Sequence, residues 1–444
     1  MTKVCFISLG CAKNLIDAEQ MVALTDDAGF AIAEYPEEAD VAVVNTCAFI
    51  ESAKSEAIEN ILALGKLKEE GGLKKLIVTG CLAQRYREEL FREMPEIDAL
   101  VGTGSCGEIV NAIRRVMQDE RPACFGDIDA LIAEEGRVIS TGPAWAYIKI
   151  AEGCSNRCAY CVIPSLRGKF RSRPMENILS EAEALAASGT KELIVVAQDP
   201  TAYGADLYGG RKLAELLRKL CRIDGLAWIR VHYMYPDGVT DELIDTVAAE
   251  EKILNYFDIP IQHIDDGILK AMRRRTTGAE IRALIRKVRE RIPDAVLRTS
   301  VITGLPGEGE AEFEELCAFL REARIERAGV FPFSPEEGTP AYDMPHPSAE
   351  TAERRAELVR DIQDEVMAAF NRSRNGTVVR VLCEGYDEEE GLWFGRSYAE
   401  APDVDGAVRF SGEGHIEAGT FYDVLLRGEL DGDMAGEIVT TARD

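Results

Sequence analysis

Apolar positions fall into two alternating rhythms over most of the chain. In about the first 125 residues, short β-like runs (KVCFISLG, DVAVVNT, KLIVTG and IDALVGTG) are separated by longer stretches with helical spacing. Strands that alternate with helices predict a parallel α/β sheet. Residues 123–143 break the pattern with an acidic, Gly-containing segment at 133–136 and a Thr-Gly-Pro ending at 141–143, so a connector is expected over 126–143.

From Ala144 onward, strand-like runs recur at 145–151, 193–198, 228–232, 256–261, 296–302 and 329–333, again with helical patterns between them. Leu213, Leu216, Leu217 and Leu220 fall at i, i+3, i+4 and i+7, as do Ile281, Leu284, Ile285 and Val288. Six βα units predict a partial (βα)6 barrel, whose chemistry belongs at the carboxyl ends of its strands. A last helical pattern covers 348–374. Beyond it VVRVLCEGYD, LWFGRSY, AVRF, FYDVLLRG and GEIVTT are short β-like runs punctuated by Gly and Asp, which predict a small antiparallel β-barrel. The expected domains are 1–125, 144–374 and 375–444, joined by the connector.

Composition narrows the class. The chain is 46% hydrophobic and has no long low-complexity tract, which excludes disordered, collagen-like and mucin-like proteins. The start, MTKVCFISLGCAKN, lacks the apolar core and cleavage site of a secretory signal, and no stretch approaches a membrane span. Twelve cysteines without an export signal are expected to stay reduced, in a cytoplasmic protein, for metal binding or catalysis. A net charge of -27 disfavours a phosphate backbone as partner and favours a basic one; it also serves solubility alone.

Two cysteine groups carry the chemistry. Cys154, Cys158 and Cys161 put three thiolates within eight residues, directly after the first barrel strand. A closed 4Fe-4S site takes four Cys, so three imply a cluster with one iron open to a small ligand. A structural zinc site would want a fourth Cys or His nearby, and the four His stand far off in sequence. Cys11, Cys47 and Cys81 are scattered, yet each follows a predicted strand end; such ends line one crevice of a parallel sheet and can converge on one ligand. Cys106 has a similar position and is a weaker candidate for the same site. Cys5, Cys124, Cys221, Cys317 and Cys383 read as packing residues.

The CxxxCxxC loop is that of the radical S-adenosylmethionine superfamily, which residues 145–334 closely resemble. Over nearly its whole length the chain resembles the methylthiotransferase family, whose domains are an N-terminal methylthiotransferase domain, a radical core and a TRAM domain. The runs SLGCAKNLIDAEQM, CVIPSLRGKFRSRP, YPDGVTDELID, DIPIQHIDDGILKAMRRR, FSPEEGTPAY and GRSYAEAPDVDG look like the branch that modifies protein and not RNA. The resemblance implies methylthiolation at the β-carbon of an aspartate in small-subunit ribosomal protein number twelve, free or within its subunit. It also implies two molecules of S-adenosylmethionine, two 4Fe-4S clusters, an electron donor and a sulfur donor. Carried over, Cys11, Cys47 and Cys81 bind an auxiliary cluster, and Cys154, Cys158 and Cys161 bind the radical cluster.

Gln198, Gln262, Arg298 and Thr303 lie at or near predicted strand ends and are candidate S-adenosylmethionine contacts; ordinary hydrogen-bonded barrel residues are the competing reading. The run Arg167, Lys169, Arg171 and Arg173 reads either as a carboxylate holder or as a solvated surface, and Arg273 to Arg275 as surface. The rivals in function are the tRNA branch of the same family and a non-catalytic iron-sulfur protein. Against the tRNA branch, residues 375–444 hold 5 Arg and no Lys beside 16 Asp and Glu, a net of -11.

Overall fold

The structure, a computed structural model, describes all residues except 133, 135, 143 and 440–444. At the N-terminus a six-stranded, wholly parallel sheet runs in the order Ala31–Ala33, Lys3–Ser8, Val41–Thr46, Lys75–Gly80, Ala99–Val101, Ala123–Cys124. The four expected strands form its centre. The two short edge strands escape the apolar pattern because they are only three and two residues long and each exposes one residue. Helices cover both faces: Ala12–Asp27 and Ile109–Val116 pack on Val4, Val41, Val43 and Ile77, while Glu51–Glu69 packs on Ala42, Val44 and Val78.

The core holds six parallel strands in two groups of three. Trp145–Lys149, Glu192–Val196 and Trp228–Val231 form one group, and Tyr256–Asp258, Val296–Thr303 and Arg327–Pro332 the other. A bridge between Ile229 and Ile253 joins them. This is the partial (βα)6 barrel read from the sequence. Alternation along the strands explains the packing. Ala146, Ile148, Leu193, Val195, Ile229 and Val231 face the surrounding helices. Trp145, Tyr147, Ile194, Val196, Trp228 and Tyr256 line the concave side, where Ala399 and Ala401 of the C-terminal region pack against them.

Helix Ala349–Arg374, capped by the Ser348 hydroxyl accepting from the Thr351 amide, leads to a closed five-stranded barrel. One of its five pairings, Val408–Ser411 against Asp433–Ile438, is parallel, which corrects the all-antiparallel expectation. An odd number of strands cannot close into a ring with every neighbour antiparallel. Among the described residues no helix is long and apolar enough to cross a membrane.

Candidate functional site

In the N-terminal sheet the chain reverses its winding between the neighbouring strands Lys3–Ser8 and Val41–Thr46. A crevice therefore opens at their carboxyl ends. Cys11 sits at the N-cap of helix Ala12–Asp27, Cys47 directly follows Thr46, and Cys81 opens helix Cys81–Tyr86. Register pairs Ser8 with Asn45, Asn45 with Thr79 and Thr46 with Gly80, so the three strand ends are level. Two glycines let the loops close up. A Cβ on Gly10 (φ +93°) would lie 2.7 Å from Cys47 Cβ, and one on Gly80 (φ +91°) 2.6 Å from the Thr46 carbonyl. Asn14 ties the loops together: its Nδ2 donates to the Leu9 and Thr46 carbonyls at 3.2 and 2.8 Å, and its Oδ1 lies 3.8 Å from Cys81 Sγ.

The charges of these three cysteines act on one another, and the Arg167 guanidinium acts on all three. Burial pushes the Cys81 thiol up to about 12 despite Arg167, and raises Cys47 as well. At Cys11 burial is outweighed by the charges of Lys13 and Arg167 and by the amides of Asn14 and Lys13, so this thiol is held below its ordinary value. A trio of sulfurs, Cys81 buried and Cys11 and Cys47 half-buried, under the charge of one guanidinium is suited to an anionic cluster.

The second trio lies at the mouth of the barrel. Gly153 (φ +77°) makes the entry turn, where a Cβ would lie 2.2 Å from the Lys169 carbonyl. The loop is pinned by Cys154 N–H to Gly168 O, Cys161 N–H to Cys158 O, Ala159 N–H to Met272 O, and Asn156 Nδ2 to Asp199 Oδ2. Burial pushes Cys154 up to about 11 and Cys161 higher still, and the neighbouring thiols of the loop raise each of them further. Arg274 is buried here, its Nη1 3.8 Å from Cys158 Sγ and its Nη2 donating to the Pro260 carbonyl. The Tyr235 ring lies under Arg274 at 4.0 Å, with its hydroxyl buried and unpartnered among the described residues. An orphaned hydroxyl beside three thiols and a cation fits a bound polar group.

The N-terminal crevice sits over this mouth. Arg85 and Lys54 both reach Glu336 in the loop after the sixth barrel strand, at 2.7 and 3.1 Å, and Thr103 donates to the Leu166 carbonyl. Between the trios lies a buried quartet. Asp17 and Glu152 each pair with both Lys149 and Arg167, Arg167 also reaches Asn14, and Gln198 Nε2 donates to Glu152 Oε1 at 2.7 Å. Lys149 and Arg167 hold the Glu152 carboxyl well below the usual range even though burial opposes this.

Arg167 is thus neither a free carboxylate holder nor solvated. Arg173 is likewise spent, on Glu134, Glu181 and the Lys149 carbonyl, and Arg274 is not a surface residue. The other candidates divide. Arg298 pairs with Asp258 at 3.2 Å and Asp405 at 3.5 Å, and the Thr303 hydroxyl donates to the Ala352 carbonyl of the long helix at 2.8 Å. Gln198 keeps a buried, unpartnered Oε1, and Gln262 adopts a left-handed backbone (φ +72°) between its hydrogen bonds to Ser300 and Ile302. Cys106 has its Sγ against the Thr103 carbonyl and lines a cavity of about 120 Å³ with Asp17, Lys149, Glu152 and Arg167, to which none of Cys11, Cys47 and Cys81 contributes. It does not join the trio. Lys13, Asp17, Glu152 and Arg274 escaped the sequence reading. The signal available was the polar density of AKNLIDAEQ, which buries Lys13, Asn14, Asp17 and Glu19 on a helix flank.

Comparison with known proteins bears on this arrangement. Residues 148–320 match the radical SAM superfamily, 3–102 the uncharacterized protein family UPF0004, and 376–439 the TRAM domain. Curated relatives named ribosomal protein uS12 methylthiotransferase RimO include one from Lachnoclostridium phytofermentans, 47% identical over 98% of this chain and 99% of its own. One from Geobacter sulfurreducens is 48% identical over 99% of each. The chain belongs to the RimO methylthiotransferase family. It is therefore a radical SAM enzyme and a transferase, with 4Fe-4S chemistry and S-adenosylmethionine as its cofactors. Among solved structures, the radical S-adenosylmethionine methyltransferase TsrM from Kitasatospora setae is similar in fold at a TM-score of 0.56 and 16% identity, over 77% of each chain.

Proposed function

We propose that this RimO family member attaches a methylthio group to the β-carbon of an aspartate in ribosomal protein uS12. Near-full-length identity of 45–48% to relatives that carry this name is the observation that supports it best. Cys11, Cys47 and Cys81 would hold an auxiliary 4Fe-4S cluster and Cys154, Cys158 and Cys161 the radical-generating one. Among the described residues no three His, Cys, Asp or Glu side chains close around a single metal ion. One tetrahedral ion with sulfur bonds of about 2.3 Å needs a tighter grouping than thiolates on separate irons. When bound, the radical cluster and S-adenosylmethionine supply a primary carbon radical able to remove hydrogen from an unactivated carbon.

The chain's own part is orientation and charge. Arg167 balances the thiolates of the auxiliary trio, Arg274 those of the loop at Cys158, and the quartet fixes the distance between the two walls. Gln198 and Gln262, with polar atoms left to offer, remain the better S-adenosylmethionine contacts; Arg298 and Thr303 are already engaged. A second S-adenosylmethionine, an electron donor and a sulfur donor complete the reaction, in the cytoplasm. The acidic C-terminal region supports a basic protein substrate over RNA.

The test is anaerobic reconstitution with S-adenosylmethionine and a reductant, offering ribosomal protein uS12 and tRNA side by side to mass spectrometry. Mass gain on the aspartate is expected; thiolation of tRNA alone would sink the proposal. Iron analysis should find about eight irons per chain, falling to about four in a Cys154, Cys158, Cys161 triple Ala variant.

A further inference from the structure

Lys13 is the one buried cation of the described residues that has no acceptor. The residue is 8% exposed, yet its Nζ makes neither an ion pair nor a hydrogen bond with the described residues; it rests 3.9 Å from the centre of the Tyr233 ring. The other buried cations are all satisfied. Lys149, Arg167, Arg173, Arg230, Arg327, Arg355, Arg374 and Arg396 each meet a carboxylate, and Arg274 has the Pro260 carbonyl and the Cys158 sulfur. A ring face attracts an ammonium but cannot accept its three hydrogen bonds, so Lys13 keeps those donors free for a partner that the protein itself does not supply.

Its place identifies the missing partner. Lys13 stands in the first turn of helix Ala12–Asp27, which has no acidic residue there and adds its own positive end. It reaches across from the auxiliary trio to Tyr233, which is held in a left-handed backbone (φ +66°) with its amide donating to Asp258. Two residues on, Tyr235 stands under Arg274 beside Cys158. The contact between Lys13 and Tyr233 therefore joins the helix that follows Cys11 to the segment that runs on to Tyr235, Arg274 and the radical loop, and a carbon reached from both trios must lie between those two walls. Nearby carboxylates are taken: Glu152 by Lys149, Arg167 and Gln198, and Asp258 by Arg298. Cys11 feels the charge of Lys13 together with that of Arg167, but no sulfur of the described residues accepts a hydrogen bond from Lys13 Nζ.

We infer that Lys13 is the cation that receives the side-chain carboxylate of the target aspartate, an assignment that rests on the substrate proposed above. A carboxylate laid on Nζ would bring the β-carbon, one bond away, into the space between the trios. It would also set aspartate apart from asparagine, which a purely apolar cleft could not do.

The test uses reconstituted enzyme and fluorescence anisotropy with two peptides, one spanning the target aspartate of uS12 and its Asp-to-Asn analogue. Wild type is expected to bind the aspartate peptide about tenfold or more tightly than the analogue, the range of a charge-assisted hydrogen bond. Lys13→Met should lose that preference by weakening the aspartate peptide alone, with iron and sulfide content equal to wild type, and Lys13→Arg should keep it. Three results would each overturn the inference: a Lys13→Met enzyme that keeps the preference, one that loses iron, or one whose only defect is weaker S-adenosylmethionine binding. The second would make Lys13 a support of the cluster, and the third a partner of the cofactor's carboxylate. A wild type that modifies neither uS12 nor the peptide but thiolates tRNA would refute the substrate itself, a failure distinguishable from these.

Discussion

Replacing Arg167 with Met tests whether the buried quartet holds the N-terminal domain over the barrel. Asp17 comes from the first helix of the N-terminal sheet, while Lys149, Glu152 and Arg167 belong to the core. All four side chains are at most one-tenth exposed, and two carboxylates balance two cations. Without Arg167, Asp17 and Glu152 share Lys149 alone, leaving one buried charge without a partner, which costs about 3–5 kcal/mol. The chain has several domains and need not unfold in two states, so native-state hydrogen exchange on helix Ala12–Asp27 is the suitable assay. Protection of its core amides is expected to fall by that free energy. Adding Asp17→Asn restores balance, because Lys149 and Glu152 then pair one to one, and should recover roughly 2–3 kcal/mol. A loss below about 1 kcal/mol in the single variant, or a double variant as weak as the two singles added, would refute the balanced-quartet argument.

Gly153→Ala should prevent the entry turn of the radical loop, since its Cβ meets the Lys169 and Gly168 carbonyls; about half the iron should be lost on reconstitution, read by iron and sulfide analysis. Cys106→Ser should leave the iron content unchanged, because Cys106 Sγ is held at the Thr103 carbonyl in a cavity that none of the trio lines. Glu400, buried between Arg374 and Arg327, has its carboxyl brought down to about 2 by those charges against the opposing effect of burial. Its folded value is below its unfolded one. Its contribution is therefore present above about pH 4.5 and is lost as pH falls toward about 2, so urea unfolding of the cluster-free protein should weaken across that window. Glu400→Gln should remove this acid-side slope and cost about 3–5 kcal/mol at neutral pH, as two buried guanidinium groups lose their carboxylate.

The strands, the barrel units and both cysteine trios were legible in the sequence because each rests on a local signal: an apolar run, a 3.6-residue rhythm, a thiol at a strand end. Arg167 and Arg274 were not, because a basic residue beside others looks the same whether it faces water or a partner 100 residues away. The charge of residues 375–444 shows the same limit from the other side. The net of -11 treats every acid as surface, yet Glu400 is spent on Arg327 and Arg374, and Asp405 on Arg298 and the Tyr256 hydroxyl. Most of the segment GRSYAEAPDVDG that carries them is turned inward, with Asp403, Val404 and Gly406 its exposed residues. Its Ala399 and Ala401 pack into the concave side of the barrel, beside Trp145, Tyr147 and Tyr256. The C-terminal domain thus closes the open side of the partial barrel with these residues, and its outward charge is less negative than the count suggests. The preference for a basic substrate must then come from acids that remain at the surface, such as Glu388, Glu389, Glu413 and Asp431. Those residues, and not the buried pairs, are where charge reversal should weaken binding of a ribosomal protein in a salt-dependent way.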